Sequence, residues 1–169
     1  LTARAVEHAG GMAVLETRKT LPGLRQAEKD AVRSGGGVNH RRDLADGLLL
    51  KENHFALSPL GYEETVARAR DAAGARKVGA EARTLKEARA ALRAGADYVL
   101  LDNFPPGELG AVAAALRREF PAAVLEASGG LQPDQLETLA ASGLDRVSLG
   151  ALTHSAPACN FSFLLEALS

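Results

Sequence analysis

The chain alternates short, nearly continuous apolar runs with longer stretches in which apolar residues recur every three or four positions. The runs at Tyr98–Asp102 and Ala123–Ala127 are typical of strands that are buried on both faces of a parallel sheet. The longer stretches have the period of an amphipathic helix. The pattern therefore predicts an α/β protein in which helices cover a parallel sheet.

Strands and helices can be assigned along the whole of this alternation. The predicted strands are Met12–Thr17, Leu48–Glu52, Lys77–Ala82, Tyr98–Asp102, Ala123–Ala127 and Arg146–Leu149. The predicted helices are Leu24–Ser34, Gly61–Ala73, Leu85–Ala94, Gly107–Phe120 and Pro133–Ala141. Thr84 and Glu87 have the spacing of a capping box at the start of one helix, and Gly95 suits its end.

The number of strands bears on the topology. A complete (β/α) barrel has eight strands, whereas six are predicted here. We therefore expect an open, incomplete (β/α) barrel with parallel strands and the helices outside. A doubly wound sheet shows the same alternation and stays an alternative. The tail after Pro157, "NFSFLLEALS", alternates apolar residues and fits either a final strand or a helix.

Composition and charge disfavour several classes of function. The 20 Lys and Arg residues balance 21 Asp and Glu residues, whereas nucleic-acid-binding proteins usually have a basic excess. Cys159 is the single cysteine, so no internal disulfide or cysteine-built zinc site is expected, and a reducing, cytoplasmic setting fits. No apolar run approaches the ~20 residues that span a bilayer. Because the sequence opens at Leu1 rather than Met, we expect a piece of a longer protein.

Every predicted strand ends in polar or glycine residues, at the edge where parallel α/β folds bind ligands. These residues are sorted by chemical type. The first two strand–helix units carry the cationic and imidazole groups Arg18, Lys19, His40, Arg41 and Lys51. The middle strands carry the acids Glu81, Asp102 and Glu126, and the glycine turns "SGG" and "LGA" come last.

Each type predicts a different ligand group. Arginine forks bind carboxylates bidentately, so the cationic group suits an anion with carboxylates. The acids suit hydroxyl groups or Mg²⁺. A Ser-Gly-Gly turn followed by a helix N-terminus offers backbone N–H groups to a phosphate. His40, His54 and His154 lack the i, i+4 spacing of a helical metal pair, so no histidine metal site is expected.

The motifs "TRKTLPGLR", "GGGVNHR", "LLKENH", "LLDNF", "EASGG" and "LGALTHS" occur in the order seen in quinolinate phosphoribosyltransferase. The chain resembles this family from about Thr17 to about Ser155. The resemblance implies the open, seven-stranded α/β barrel of the type II phosphoribosyltransferases in residues 1–155. It also implies that the tail, residues 156–169, packs on an N-terminal sandwich domain that this sequence lacks.

The activity that the resemblance implies is a pentosyl transfer in NAD biosynthesis. Phosphoribosyl pyrophosphate donates its phosphoribosyl group to quinolinate, which is decarboxylated, giving nicotinate mononucleotide, pyrophosphate and CO2. The family works as a homodimer or an assembly of dimers, in which the neighbouring subunit completes each site with an arginine. The chain alone is therefore expected to be nearly inactive, and Mg²⁺ is the expected cofactor.

The resemblance also implies roles for individual residues. Those expected to bind the carboxylates of quinolinate are Arg18, His40, Arg41 and Lys51. Lys19 matches a position where the pyrophosphate meets quinolinate, while Glu81 and Asp102 match acids for the ribose hydroxyls and, partly through water, Mg²⁺. These three are the expected catalytic residues. Further substrate-binding residues are expected at Thr17 and Ala151 and, for the 5′-phosphate, at Ser128, Gly129, Gly130 and Gly150.

The sequence departs from the family pattern in places, and other functions fit parts of it. The usual "EVE" of the third strand reads Gly79-Ala80-Glu81, which loses the first acid, and Glu16 stands where Asp is common. A nicotinate phosphoribosyltransferase or a molybdenum-transport-associated homologue has the same fold, but several convergent cations favour a diacid over nicotinate. A non-catalytic phosphate-binding barrel is the alternative from a different class, and it leaves Glu81 and Asp102 without a role.

Overall fold

Residues 1–166 are described by a computed structural model, and they form one parallel sheet of six strands flanked by helices. The strands are β1 (Ala13–Leu15), β2 (Gly47–Leu50), β3 (Lys77–Ala82), β4 (Tyr98–Asp102), β5 (Val124–Ser128) and β6 (Arg146–Ser148). Their order in the sheet is β1-β6-β5-β4-β3-β2, and every neighbouring pair is parallel. The predicted strands are confirmed, with shorter bounds for β1 and β6, while β2 begins one residue and ends two residues earlier than predicted and β5 lies one residue later.

Helices connect the strands and cover the sheet. They are α1 (Thr2–His8), α2 (Arg25–Ser34), α3 (Glu52–Leu57), α4 (Tyr62–Ala73), α5 (Leu85–Arg93), α6 (Pro106–Glu119) and α7 (Leu136–Leu139). The predicted helices correspond to α2, α4, α5, α6 and α7. The last was predicted too long, because residues 133–135 form a 3-10 turn before α7. The prediction did not include α1 or α3, and α3 is too short for its sequence, "ENHFAL", to show a helical period.

The two ends of the sheet approach each other without joining. β1 and β2 are consecutive in the chain but lie at opposite ends of the strand order. Between them, Val38 forms an isolated parallel bridge with Leu15 of β1. Arg41 then donates a hydrogen bond from Nη1 to the Gly47 carbonyl of β2 at 3.1 Å. The seventh strand that the resemblance implies is thus reduced to one bridge, and the barrel is open between Val38 and β2.

The strand order distinguishes the two topologies that the sequence left open. A doubly wound sheet reverses its strand order at a switch point. Here the order runs from β2 to β6 without reversal and ends with β1 beside β6. The expected open, incomplete barrel is confirmed, and the doubly wound alternative is wrong.

Small and branched aliphatic residues build the core between the helices and the sheet. In α5, Ala88 and Ala91 are fully buried, and in α6 Leu109, Ala113 and Leu116 are equally buried. Small side chains let a helix lie close to the strands that it covers. This packing needs few aromatic residues, which account for 4% of the sequence.

The start of α5 fixes the backbone at the carboxyl end of β3. Thr84 Oγ1 accepts a hydrogen bond from the Glu87 N–H at 3.1 Å, and Glu87 Oε2 accepts one from the Arg83 N–H at 2.7 Å. The predicted capping interaction is therefore confirmed. It holds the chain directly after Glu81 at the edge of the sheet.

The tail does not form the strand or helix considered for it in residues 156–166, which have no regular secondary structure. Four of its large apolar side chains are 84–90% exposed, namely Phe161, Phe163, Leu164 and Leu165. The remaining tail residues, 167–169, lie outside the described residues. Within residues 1–166, no helix is long and apolar enough to cross a membrane.

Candidate active site

A cavity of about 680 Å³ lies at the carboxyl ends of the strands. The residues given a role in binding or catalysis from the sequence line it: Thr17, Arg18, Lys19, His40, Arg41, Lys51, Glu81, Asp102, Ser128, Gly129, Gly130, Gly150 and Ala151. Glu126, the third of the predicted strand-end acids, does not line the cavity, because its side chain is fully buried. The fold thus brings the cations, the acids and the glycine turns together. A second cavity of about 550 Å³ beside α1 contains none of them.

The cationic side of the cavity contains a buried hydrogen-bond donor that lacks a partner among the described residues. Arg18 Nε is buried and has no hydrogen-bond partner within residues 1–166. Burial lowers the pKa of the nearby Arg41, and the charge of Arg18 lowers it further against the opposing effects of Tyr98 and Glu81. A buried donor without a partner is costly. An anion bound here would satisfy Arg18 and relieve the repulsion between the two guanidinium groups.

His40 is held on this side by contacts to both of its ring nitrogens. Nδ1 accepts a hydrogen bond from the Arg41 N–H at 2.8 Å, and Nε2 lies 3.3 Å from Glu126 Oε1. Because Nδ1 accepts, the neutral ring has its proton on Nε2, facing the carboxylate. The His40 N–H also donates to Glu16 Oε2 at 3.2 Å. Glu126 and the Arg41 N–H therefore fix the ring, and Glu16 holds the backbone of the same residue.

Glu126 of β5 is fully buried below the cavity, and three groups compensate its charge. Besides His40, the Ser148 hydroxyl donates to Oε1, and Arg146 Nε lies 2.7 Å from Oε2. Arg146 Nε and Glu126 Oε2 do not meet with the geometry of a hydrogen bond, so their contact is an ion pair. Burial raises the pKa of Glu126, but His40, Arg146 and Ser148 outweigh this effect and leave it lowered. Glu126 is thus an ionised group of the barrel interior.

The ring of Tyr98 explains one departure from the family pattern. The guanidinium of Arg146 lies 4.2 Å from the centroid of the Tyr98 ring. That ring occupies the space into which a side chain at Gly79 would project, and the two residues are paired in the register of β3 and β4. An acid at position 79 is therefore sterically excluded by Tyr98.

The acidic side of the cavity consists of Glu81 and Asp102 with two cations. Lys51 Nζ is hydrogen-bonded to Glu81 Oε1, and Arg83 Nε lies 3.6 Å from Asp102 Oδ2. Burial raises the pKa of Glu81, and the charge of Asp102 and a contact with Glu52 raise it further, while Lys51 opposes them. The charges of Glu81 and Asp102 therefore repel each other, and a cation would stabilise the pair.

The acids fit Mg²⁺ as a metal that shares its coordination with substrate. Within residues 1–166, no group of three or more His, Cys, Asp or Glu side chains is arranged to hold a metal ion. Mg²⁺ is usually bound by one or two carboxylates together with waters and substrate phosphates. Glu81 and Asp102 provide such a pair in the cavity. Their mutual repulsion is the feature that a divalent ion would relieve.

The glycine turn after β5 has the backbone shape expected of a phosphate site. Gly129 and Gly130 have φ angles of 94° and 64°. A Cβ at Gly129 would collide with the side chain of Asn103, so this turn requires glycine. The expected helix N-terminus directly behind the turn is wrong, because a 3-10 turn at Pro133–Gln135 comes first and α7 starts at Leu136. Because no α-helix begins directly after the turn, the backbone N–H groups of the turn itself are the donors that could bind a phosphate here.

Some residues that line the cavity were not among those proposed from the sequence. They include Glu52, Arg83, Asn103, Gln132 and His154. Arg83 directly follows the predicted strand Lys77–Ala82, so its place at the strand end was the signal that pointed to it. His154 lies in the "LGALTHS" motif, and its ring is next to Gly150.

Known proteins with a similar sequence are larger than this chain. The profile of the family described as "Quinolinate phosphoribosyl transferase, C-terminal domain" matches residues 1–164. The human nicotinate-nucleotide pyrophosphorylase (carboxylating) is 44% identical over 170 residues, which cover 98% of this chain and 57% of that protein. The probable enzyme of the same name from Bacillus subtilis is 41% identical over 151 residues, which cover 88% of this chain and 50% of that protein.

Solved structures show the same relationship. NadC from Streptococcus pyogenes has a TM-score of 0.82 at 36% identity, with 91% of this chain and 54% of that chain covered. A NadC deletion mutant in a cubic space group has a TM-score of 0.86 at 36% identity, with 95% and 56% covered. The chain spans about half the length of the curated relatives it matches. It belongs to the quinolinate phosphoribosyltransferase family and corresponds to the C-terminal domain of that family.

Proposed function

We propose that this domain carries the active site of a quinolinate phosphoribosyltransferase. The enzyme transfers the phosphoribosyl group of phosphoribosyl pyrophosphate to quinolinate and releases pyrophosphate and CO2, giving nicotinate mononucleotide. One observation carries the proposal: cations, acids and the glycine turn line a single cavity at one edge of the sheet. A diacid, a ribose and a phosphate bound side by side need those three kinds of group. Membership of the family supports the same reaction.

The reaction needs opposite charges at the two ends of the breaking bond. The pyridine nitrogen of quinolinate attacks the anomeric carbon while pyrophosphate leaves, so positive charge grows on the ribose and negative charge on the leaving group. Glu81 and Asp102 stabilise the ribose, and Lys19 stabilises the pyrophosphate, through fixed electrostatics. Mg²⁺, when bound, supplies further positive charge to the pyrophosphate. The pyridinium then draws the electrons of the bond to the 2-carboxylate, CO2 leaves, and the ring carbon takes a proton from solvent to give nicotinate mononucleotide.

The cation group holds the diacid in position for this attack. Arg18, His40, Arg41 and Lys51 are the proposed carboxylate ligands, and Thr17 and Ala151 are further substrate contacts. Ser128, Gly129, Gly130 and Gly150 are the proposed ligands of the 5′-phosphate. No covalent nucleophile is needed, so positioning supplies much of the rate.

The proposal extends to the whole protein. The exposed apolar side chains of the tail, such as Phe161 and Phe163, support its packing on an N-terminal sandwich domain. We further propose a cytoplasmic homodimer, or an assembly of dimers, in which the neighbouring subunit adds an arginine to each site. Residues 1–169 by themselves should be nearly inactive, and a robust rate from them would contradict this part of the proposal.

The reaction is tested with the full-length gene product. Release of CO2 and pyrophosphate from quinolinate, phosphoribosyl pyrophosphate and Mg²⁺ is the expected result. Turnover of nicotinate without turnover of quinolinate would instead indicate a nicotinate phosphoribosyltransferase. Phosphate binding without any turnover would indicate a non-catalytic barrel.

The carboxylate site is tested by a pair of neighbouring arginines. Arg41→Ala should raise the dissociation constant of quinolinate by about tenfold, because a charge-assisted bidentate contact is lost. Arg42 is the matched control, since its side chain is 64% exposed and pairs with Asp46. Equal calorimetric affinities for the wild type and Arg41→Ala would contradict the assignment.

The role of Lys19 is tested by separating chemistry from binding. Lys19→Ala should lower turnover far more than it lowers the affinity for quinolinate, because its charge acts on the leaving group. Single-turnover kinetics measure the chemical step directly. A normal single-turnover rate in this variant would show that Lys19 is not catalytic.

A further inference from the structure

Arg83 lies in the cavity, yet the proposed reaction gives it no part. Its Nε is 3.6 Å from Asp102 Oδ2, and its Nη2 is 3.7 Å from Glu52 Oε2. Both separations exceed the length of a hydrogen bond. The guanidinium therefore lies between two carboxylates without being bonded to either of them.

The backbone of Arg83 is fixed, whereas its side chain is accessible. The Arg83 N–H donates to Glu87 Oε2 at 2.7 Å, and the Thr84 cap holds the next residue at the start of α5. The Arg83 side chain is 57% exposed. A long cation on a fixed backbone stays at the wall of the cavity while its N–H donors can adjust to a ligand.

The wall around Arg83 is acidic. Glu52, Glu81 and Asp102 all line it. Lys51 is hydrogen-bonded to Glu81 and is already a proposed ligand of the quinolinate carboxylates. A polyanion entering beside three carboxylates needs a further cation there.

We propose that Arg83 binds the pyrophosphate group of the phosphoribosyl donor and so positions the leaving group beside Asp102. The inference rests on the proposed function, because that reaction supplies a pyrophosphate at this place. A guanidinium fork matches two phosphate oxygens at once. The carboxylates of quinolinate have their own cations, Arg18 and Arg41, near β1 and before β2, and the 5′-phosphate has the turn after β5.

The test uses Arg83→Ala and Arg83→Lys in the full-length protein. Arg93→Ala is the matched control, because Arg93 ends α5, the helix that follows Arg83, is 49% exposed and pairs with Glu63 outside the cavity. Steady-state kinetics give the KM of each substrate, and calorimetry with inorganic pyrophosphate and Mg²⁺ gives a binding constant that does not depend on turnover.

In Arg83→Ala, the KM of phosphoribosyl pyrophosphate and the dissociation constant of pyrophosphate should both rise by about tenfold. The KM of quinolinate should change by less than about twofold, and Arg83→Lys should recover part of the loss, since it keeps the charge and not the fork. The difference from the wild type should shrink at high salt, because Arg83 is more than half exposed. Arg93→Ala should match the wild type in every measurement.

Several results would overturn the inference. They are an unchanged donor KM and pyrophosphate affinity in Arg83→Ala, a rise in the KM of quinolinate instead, or a wild-type protein that does not bind pyrophosphate. Failure of the proposed function is a separate result, namely that the full-length protein releases no CO2 from quinolinate. In that case pyrophosphate calorimetry still decides whether Arg83 binds the anion.

Discussion

The buried ion pair between Lys29 of α2 and Glu16 at the end of β1 gives the sharpest stability prediction. The side chains are 1% and 0% exposed, and Lys29 Nζ is hydrogen-bonded to Glu16 Oε1. Glu16 Oε2 also accepts the N–H of His40 at 3.2 Å. Lys29→Met keeps the volume of the side chain and removes its charge. It therefore leaves Glu16 buried without its counter-ion.

Two estimates of the expected loss in the free energy of unfolding agree. Removing one partner of a buried ion pair costs about 3–5 kcal/mol. Glu16 can also escape by protonation, and protonating a carboxyl of pKa about 4.3 at pH 7 costs about 3.7 kcal/mol. In a domain of this size, each kcal/mol lowers Tm by about 2–4 °C. Lys29→Met should therefore lower Tm by roughly 6–20 °C.

The pH dependence of this loss has a definite sign. In Lys29→Met, the pKa of Glu16 should rise above its value of about 4.3 in the unfolded chain. The penalty is then complete above the raised pKa and shrinks as the pH falls toward the unfolded value. Urea unfolding of the wild type and the variant at a series of pH values measures this difference directly.

Two further variants make the reasoning refutable. Glu16→Leu combined with Lys29→Met removes both charges, so it should recover most of the stability even though His40 loses an acceptor. Arg33→Met in α2 is the control, because Arg33 and Asp30 are 63% and 43% exposed and such a pair contributes less than about 1 kcal/mol. A loss below about 1 kcal/mol in Lys29→Met, or a double variant as unstable as the single one, would refute the account.

Other predictions follow from the barrel interior and the start of α5. Gly79→Ala should cost about 1–3 kcal/mol in urea unfolding, because its Cβ would collide with Tyr98, and Tyr98→Leu should restore most of that loss. Burial raises the pKa of Tyr98 to about 12 and also raises that of Tyr62. Both phenols should thus stay protonated at pH 10 by ultraviolet absorbance, and stability should fall as pH rises from about 10 toward 12, where the unfolded phenols ionise first. Thr84→Ala should lower the free energy of unfolding by about 1 kcal/mol, since the Glu87 N–H loses its acceptor, whereas Thr84→Ser should not.

The strands and the location of the site could be predicted because both depend on local patterns. A strand buried on both faces has a nearly continuous apolar sequence, as in β4 and β5. Parallel strands present their carboxyl ends at one edge, so residues that follow separate strands meet in space. Lys19, Glu81 and Asp102 lie far apart in the sequence, and this rule alone places them in one cavity.

The contacts beneath the site could not be predicted, because they depend on which residues of different strands face each other. In the sequence, Gly79 only shows that the first acid of the family pattern is missing. The reason, a clash with Tyr98, becomes visible only when the register of β3 and β4 pairs the two residues. The short strand at Val38 consists of a single bridge, which has no sequence period. The partnership of His40 with Glu126 likewise joins residues more than eighty positions apart.

The two sides of the cavity differ in whether a ligand must break an existing contact in order to bind. On the cationic side, Arg18 Nε has no hydrogen-bond partner within residues 1–166, so a carboxylate entering there gains a contact without breaking one. On the acidic side, Glu81 is bonded to Lys51, and Asp102 has Arg83 at 3.6 Å. A ligand that takes the Glu81 oxygen bonded to Lys51 must displace that cation, whereas Arg83 makes no hydrogen bond to Asp102 that would have to break. In the proposed reaction, Arg83 is therefore the cation of this side that is free to turn toward the pyrophosphate, so binding of the donor would bring positive charge to the leaving group.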